Sequence, residues 1–249
     1  GSATITGKTK NAEASCKVTV TKTKVTLNKT SLILENGESA VLTAASSTGH
    51  KVTWKSAKTS IASVSENGKV TAKKPGTTTV TAKVDGTSVN CKVTVKSPTV
   101  RLMPSKISLY RREKYKLKVS STSKSTPVWK TNKKSVATVD ETGKVTAVKH
   151  GTAVITVTVD GVSKNCEVTV RSPKITFEQT TITLHPGERA RVNATASSGN
   201  QPAYSCSNSN VVSVDANGVI TAKAAGRSYV YASEDGTKER MTVYVKEKE

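Results

Sequence analysis

Aromatic side chains are scarce in this 249-residue sequence, which has one Phe, two Trp and six Tyr. Base-stacking platforms need exposed rings, so no specific nucleic-acid partner is expected. There is no run of 18 or more apolar residues, so nothing in these residues reads as a membrane-spanning helix. Residues 1–20 have neither the basic start nor the apolar stretch of a secretory signal. The four cysteines include no Cys-x-x-Cys spacing, so no zinc site is expected. Acidic residues are also few, 18 against 39 Lys and Arg, giving a net charge of +21. No stretch carries a convincing helical periodicity.

What is present is a repeat. Trp54 to Gly86 reads WKSAKTSIASVSENGKVTAKKPGTTTVTAKVDG, and the same pattern returns from Trp129 to Gly161 and, more diverged, from Tyr204 to Gly236. The step is 75 residues each time: Gly68, Gly143 and Gly218 keep it, as do Gly76, Gly151 and Gly226. A fixed period of this length marks tandem copies of one small domain. Within a period apolar and polar residues alternate, as in Val80, Ala82 and Val84 against Thr79, Thr81 and Lys83, which is the pattern of half-buried strands. Turn residues separate these runs at Glu66-Asn67-Gly68, Lys74-Pro75-Gly76 and Asp85-Gly86. About seven short strands per period, with turns every 8–12 residues or so, describe an antiparallel β-sandwich.

Cys16, Cys91 and Cys166 are one position of the repeat, Met241 holds it in the last copy, and Cys206 is an addition, so no copy has a plausible internal disulfide pair. Cys91 shares the alternation of Val93 and Val95 and is expected to point inward as a free, small hydrophobe. The candidate core rows are Val25, Leu27, Leu32, Leu34, Ala40, Leu42 and Ala44 in the first full copy. Val100, Leu102, Ile107, Leu109, Tyr115, Leu117 and Val119 follow in the second, and Ile175, Phe177, Ile182 and Leu184 in the third.

The order Trp54, Ile61-Ala62-Ser63-Val64, Gly68-Lys69-Val70-Thr71-Ala72 and Gly76-Thr77-Thr78-Thr79-Val80-Thr81 resembles the bacterial immunoglobulin-like domain, group 2. The match runs along the whole chain and weakens in the third copy, where Tyr204 replaces Trp and Arg227-Ser228 replaces Thr-Thr. The resemblance implies an all-β fold of tandem Ig-like sandwiches. It also implies an extracellular spacer or adhesion module of a bacterial surface or secreted protein, with no catalytic residue. The expected organisation is a closing strand hairpin of a preceding copy (1–22), then domains over 23–96, 97–171 and 172–249, in an extended array. The hairpin aligns with the end of a repeat, Cys16 with Cys91 and Val20 with Val95. A lone hairpin is marginal in water, so residues 1–20 are expected to pair with a sheet edge of this chain or another.

Charge is what the fold does not require. It is +3 over 1–22, +7 over 23–96, +10 over 97–171 and +1 over 172–249. The densest cluster of cations is Arg111, Arg112, Lys114, Lys116 and Lys118, with the three lysines expected to face outward in a row. These are the candidate anion-binding residues, and an anionic wall polymer, glycan or host surface is the candidate partner. Tyr110, Tyr229 and Tyr231 are candidate glycan contacts; the reading they compete with is ordinary strand packing. They support an alternative function as a carbohydrate-binding accessory of a secreted glycoside hydrolase.

His50, His150 and His185 occupy non-equivalent places in the repeat. Glu38, Glu113 and Glu188 recur beside a turn, where a lone carboxylate more often satisfies backbone N–H groups than acts as an acid catalyst. The acidic turns at Glu66, Asp140-Glu141 and Asp215 supply too few oxygens for calcium. No catalytic residue, cofactor or metal is therefore expected. The chain reads as a structural spacer with an adhesive middle repeat.

Overall fold

A computed structural model describes residues 1–248. All of its regular elements are β-strands, and no helix among the described residues is long and apolar enough to cross a membrane. The chain divides into two compact units, 1–100 with 121–126 and 159–162, and 101–120 with 127–158 and 163–249.

The first unit opens with β1 (Ser2–Thr9) and β2 (Ala12–Thr19). Nine strands follow within one period: β3 (Val25–Leu27), β4 (Ser31–Leu34), β5 (Ser39–Val41), β6 (Ala44–Ser46), β7 (Thr53–Ser56), β8 (Ala62–Val64), β9 (Lys69–Ala72), β10 (Gly76–Val84) and β11 (Thr87–Val95). They form a four-stranded sheet in the order β4-β11-β10-β7, with a pair β3-β6 and a three-stranded sheet β5-β9-β8. β10 and β11 make the longest ladder, antiparallel from Gly76 opposite Val95 to Val84 opposite Thr87. Their turn is Asp85-Gly86 with φ of 47° and 81°. Positive φ at both central residues matches the strands' right-handed twist, and Asp-Gly supplies it.

The strand count departs from seven in part because the row Ala40, Leu42 and Ala44 changes sheets midway. β5 belongs to one sheet and β6 to another, with Leu42 between them fully buried at 1% exposure. The alternation continues through such a crossover, so pattern alone cannot reveal it. The core of this period is Leu32, Leu34, Leu42, Ala62, Val70, Ala72, Val80, Cys91, Val93 and Val95, with Trp54 packed at its margin.

The second unit repeats this plan in two periods. Their four-stranded sheets comprise Lys106–Leu109, Val162–Val170, Gly151–Val159 and Val128–Thr131 in one, and Thr181–Leu184, Thr237–Val245, Gly226–Glu234 and Ala203–Cys206 in the other. The cores centre on Leu109, Leu117, Val145, Ile155 and Val168, and on Leu184, Val192, Ile220, Val230 and Val243. Of the expected core residues one is misplaced: Tyr115 is 39% exposed. Its strand, Lys114–Lys116, lies at a sheet edge opposite Lys144–Ala147, and the first copy has the small Ala40 at that position. The side of the strand is right, but a phenol ring exceeds the space that encloses an alanine.

The expectation that residues 1–20 pair with a sheet edge of this chain is corrected. β1 and β2 pair only with each other among the described residues, from Ser2 opposite Thr19 to Thr9 opposite Ala12, and every side chain is exposed. Ile5, Val18 and Val20 stand where Val80, Val93 and Val95 are buried, yet are 64%, 39% and 69% exposed. In the complete period β4 and β7 flank the equivalent hairpin and a second layer covers it. For β1 and β2 no such flanking strand or second layer is present among the described residues, so their inward-parity side chains stay exposed.

Candidate binding faces

The five cations of the middle copy do not form one patch. Arg111 Nε donates to Glu234 Oε1 at 2.9 Å, and the Glu234 side chain is 1% exposed. Ser198 and Asn200 also donate to that carboxylate, at 3.0 and 3.2 Å, and Asn200 bonds the Arg111 carbonyl at 3.0 Å. Arg111 is thus held within the fold, in a charge-assisted bond. Arg112 has φ 74°, in the slot where the other copies have Gly37 and Gly187. Lys114 and Lys116 share a strand, but the chain changes sheets at the buried Leu117, so Lys118 lies on a different sheet beside Arg101. Lys116 donates to the Thr142 carbonyl. The expected row is therefore two lysines, joined across the ladder by Lys144.

The Arg111–Glu234 pair was not foreseen, although the sequence holds its signal. Glu234 aligns with Val84 and Val159, both buried, and a carboxylate at an inward strand position needs a partner.

The recurring carboxylates serve the backbone. Glu38, Glu113 and Glu188 accept the N–H of Glu35, Tyr110 and His185 at 2.7, 2.7 and 2.8 Å. Asp140 accepts from the backbone of Thr142 and Lys144, and Asp215 from Asn217 and Val219. The Thr142 hydroxyl beside Asp140 holds its carboxyl below the ordinary value. The histidines are similarly placed at turns. The His50 ring meets Asp85 at 2.9 Å, the His185 ring meets the Lys246 carbonyl at 2.9 Å, and the His150 backbone N–H donates to Asp235 at 2.8 Å. Hydrogen bonds from Thr48 and then His50 hold Asp85 below its usual value. Burial would raise Asp160, but hydrogen bonds from Ser123, Asn36 and Ser125 outweigh it and lower it. No cluster of three or more metal-ligating side chains occurs among the described residues.

Cys91 and Cys166 are fully buried, and burial raises both thiols, Cys166 to about 11. All four cysteines are free, and Cys16 is exposed because its hairpin has no covering layer.

The tyrosines divide. Tyr110 follows the strand Lys106–Leu109, and the Arg171 guanidinium sits 4.0 Å from its ring centre. Tyr229 and Tyr231 lie together on the outward side of Gly226–Glu234, ring centres 6.5 Å apart and tilted by 50°. Cations cover them: Arg240 at 4.4 Å and Arg227 at 5.5 Å from Tyr229, and Lys238 at 3.8 Å from Tyr231. The same sheet positions in the first copy are Thr77, Thr79, Thr81, Ser88 and Asn90, and in the second Thr152, Val154, Thr156, Ser163 and Asn165. There the hydroxyl and amide groups bond one another, as Thr81 with Asn90 at 2.8 Å and Thr156 with Asn165 at 2.9 Å.

The family comparison agrees with this architecture. A model of the bacterial Ig-like domain (group 2) matches residues 20–97 and 96–170. An uncharacterized protein of Clostridium acetobutylicum is 34% identical over 134 residues, which is 49% of this chain but 13% of that protein's length. Among solved structures, the I9–I11 tandem of titin superposes with a TM-score of 0.49 at 12% identity, covering 90% of this chain and all of the titin fragment. Domains 1–6 of the surface layer protein SbsC superpose with a TM-score of 0.29 at 15% identity, covering all of this chain and 45% of theirs. With the family model matched twice in tandem over more than half its length, the chain belongs to the bacterial Ig-like domain (group 2) family.

Proposed function

We propose that the chain is a non-catalytic structural and adhesion module of a larger bacterial cell-surface or secreted protein. Domains over 23–96, 97–171 and 172–249 act as successive building blocks that hold a partner segment away from its point of attachment. The observation that carries this reading is the use to which the recurring polar residues are put. Glu38, Glu113 and Glu188 cap turns, and Asp140 and Asp215 close them. Groups tied to their own backbone in this way are poor acids, bases or nucleophiles for an external substrate. Incubation of the full chain with wall polymer and soluble polysaccharides should yield no new reducing ends or released fragments. Turnover of any of these that purifies with the chain would overturn the reading.

A second reading, a carbohydrate-binding accessory of a secreted glycoside hydrolase, is favoured by one specific observation, the tyrosine and cation face of the third copy. For the middle copy, the surface cations Arg112, Lys114, Lys116, Lys118 and Lys144 support only weak, salt-sensitive attraction to polyanions.

A further inference from the structure

We infer that the outward face of the sheet built from Thr181–Leu184, Thr237–Val245, Gly226–Glu234 and Ala203–Cys206 binds an acidic polysaccharide, one carrying sugar carboxylates. The inference rests on the adhesion reading above and gives it a ligand class.

The internal repeats serve as the control. At five equivalent outward positions two copies carry small polar or aliphatic residues, chiefly Thr, Ser and Asn. The third carries Arg227, Tyr229, Tyr231, Lys238 and Arg240. A sixth, Tyr244, replaces Thr94 and Thr169 and is 39% exposed. Solubility alone does not select this set, because the threonine faces already meet water.

The arrangement is ordered. Tyr231 lies opposite Arg240 in the ladder and Arg227 lies opposite Tyr244. Each cation leans over a ring, so the face runs Arg227, Tyr229, Arg240, Tyr231, Lys238. Cation–π contact restrains long side chains that would otherwise lose rotamer freedom on binding. The third copy's net charge is only +1, yet no carboxylate occupies an outward position on these four strands. Glu239 has the opposite parity, and Glu234 is buried against Arg111.

The chemistry of the face selects the ligand. A guanidinium offers paired donors that match a carboxylate. The phenol groups and the outward Thr181, Thr183 and Thr242 suit sugar hydroxyls. Nucleic acid fits less well, since bases stack on free ring faces, and here guanidinium and ammonium groups already lie on them.

The test is retention of the full chain by a polyuronate at physiological salt, beside a neutral glucan and single-stranded DNA. The chain should be retained by the polyuronate alone. Arg240→Gln should weaken binding about tenfold, the effect of losing one charge-assisted bond, with the melting temperature unchanged. Conversely, Thr77→Arg, Thr79→Tyr, Thr81→Tyr, Ser88→Lys and Asn90→Arg together in the first copy should restore retention to the Arg240→Gln chain. Equal retention by DNA through Arg240 would overturn the inference. So would loss of polyuronate binding on reversing Lys114, Lys116 and Lys118 but not on Arg240→Gln, which would move the adhesive surface to the middle copy. Absence of any retention would also overturn it, while leaving the structural reading, which rests on the lack of turnover, untouched.

Discussion

Gly68, Gly143 and Gly218 stand against the ring of Trp54, Trp129 and Tyr204, all at positive φ. A Cβ at Gly68 would fall 3.0 Å from Trp54 Cζ2 and collide with the Leu42 carbonyl. The recurring aromatic and the recurring glycine are therefore one packing unit. Gly68→Ala combines left-handed strain with a backbone clash and should cost about 3 kcal/mol, read by denaturant unfolding. Arg112→Gly runs the other way. Arg112 holds φ 74° where its counterparts are glycine, and the substitution should stabilise by about 1 kcal/mol. Thiol labelling gives a third check at this scale. Cys16 should react with a maleimide at neutral pH, while Cys91 and Cys166, buried and with raised pKa, should react only on unfolding. Labelling of Cys166 as fast as Cys16 in the native chain would contradict the placement of the core.

At the scale of elements, sheet assignment follows alternation closely wherever a strand stays in one sheet. Val80, Ala82 and Val84 are buried as their pattern requires, and so are Cys91, Val93 and Val95. Crossovers such as Leu42 and Leu117 are not legible in the sequence, since a strand that changes partners keeps its alternation. The basic cluster of the middle copy is smaller than its spacing implies, because spacing along a strand says nothing of a partner far away in sequence. Arg111 meets Glu234 across 123 residues, and only the odd carboxylate at a valine position pointed to it. Tyr229 and Tyr231 were legible as an outward pair, but the cations over them depend on cross-strand register. The buried pair makes a prediction of its own. Arg111→Asn, with the residue of the first copy, leaves Glu234 with Ser198 and Asn200 and should destabilise by about 2 kcal/mol. Adding Glu234→Val, again the first copy's residue type, should recover most of that loss. A double variant less stable than the single one would contradict the account of the pair.

For the whole molecule, acid stability follows from carboxylates held below their ordinary values. Asp85, Asp140 and Asp160 are each lowered by hydrogen bonds made in the folded chain. A depressed folded value means a contribution that is complete above the unfolded carboxylate range near pH 4 and lost as pH falls through the lower folded value. Melting temperature should therefore be flat from about pH 7 to 5 and fall below about 4, with Asp160→Asn showing a shallower fall. Removal of residues 1–22, every one of them exposed, should leave the melting of the remaining chain unchanged. The central claim, that repeated domains act as building blocks rather than as a catalyst, is tested most directly by display. The chain is placed between a cell-wall anchor and an epitope tag, with one, two or three of the 75-residue periods retained. Binding of a bulky antibody to the tag should increase with each period and should not change when Lys114, Lys116 and Lys118 are neutralised. Equal access with one period and with three would contradict the account.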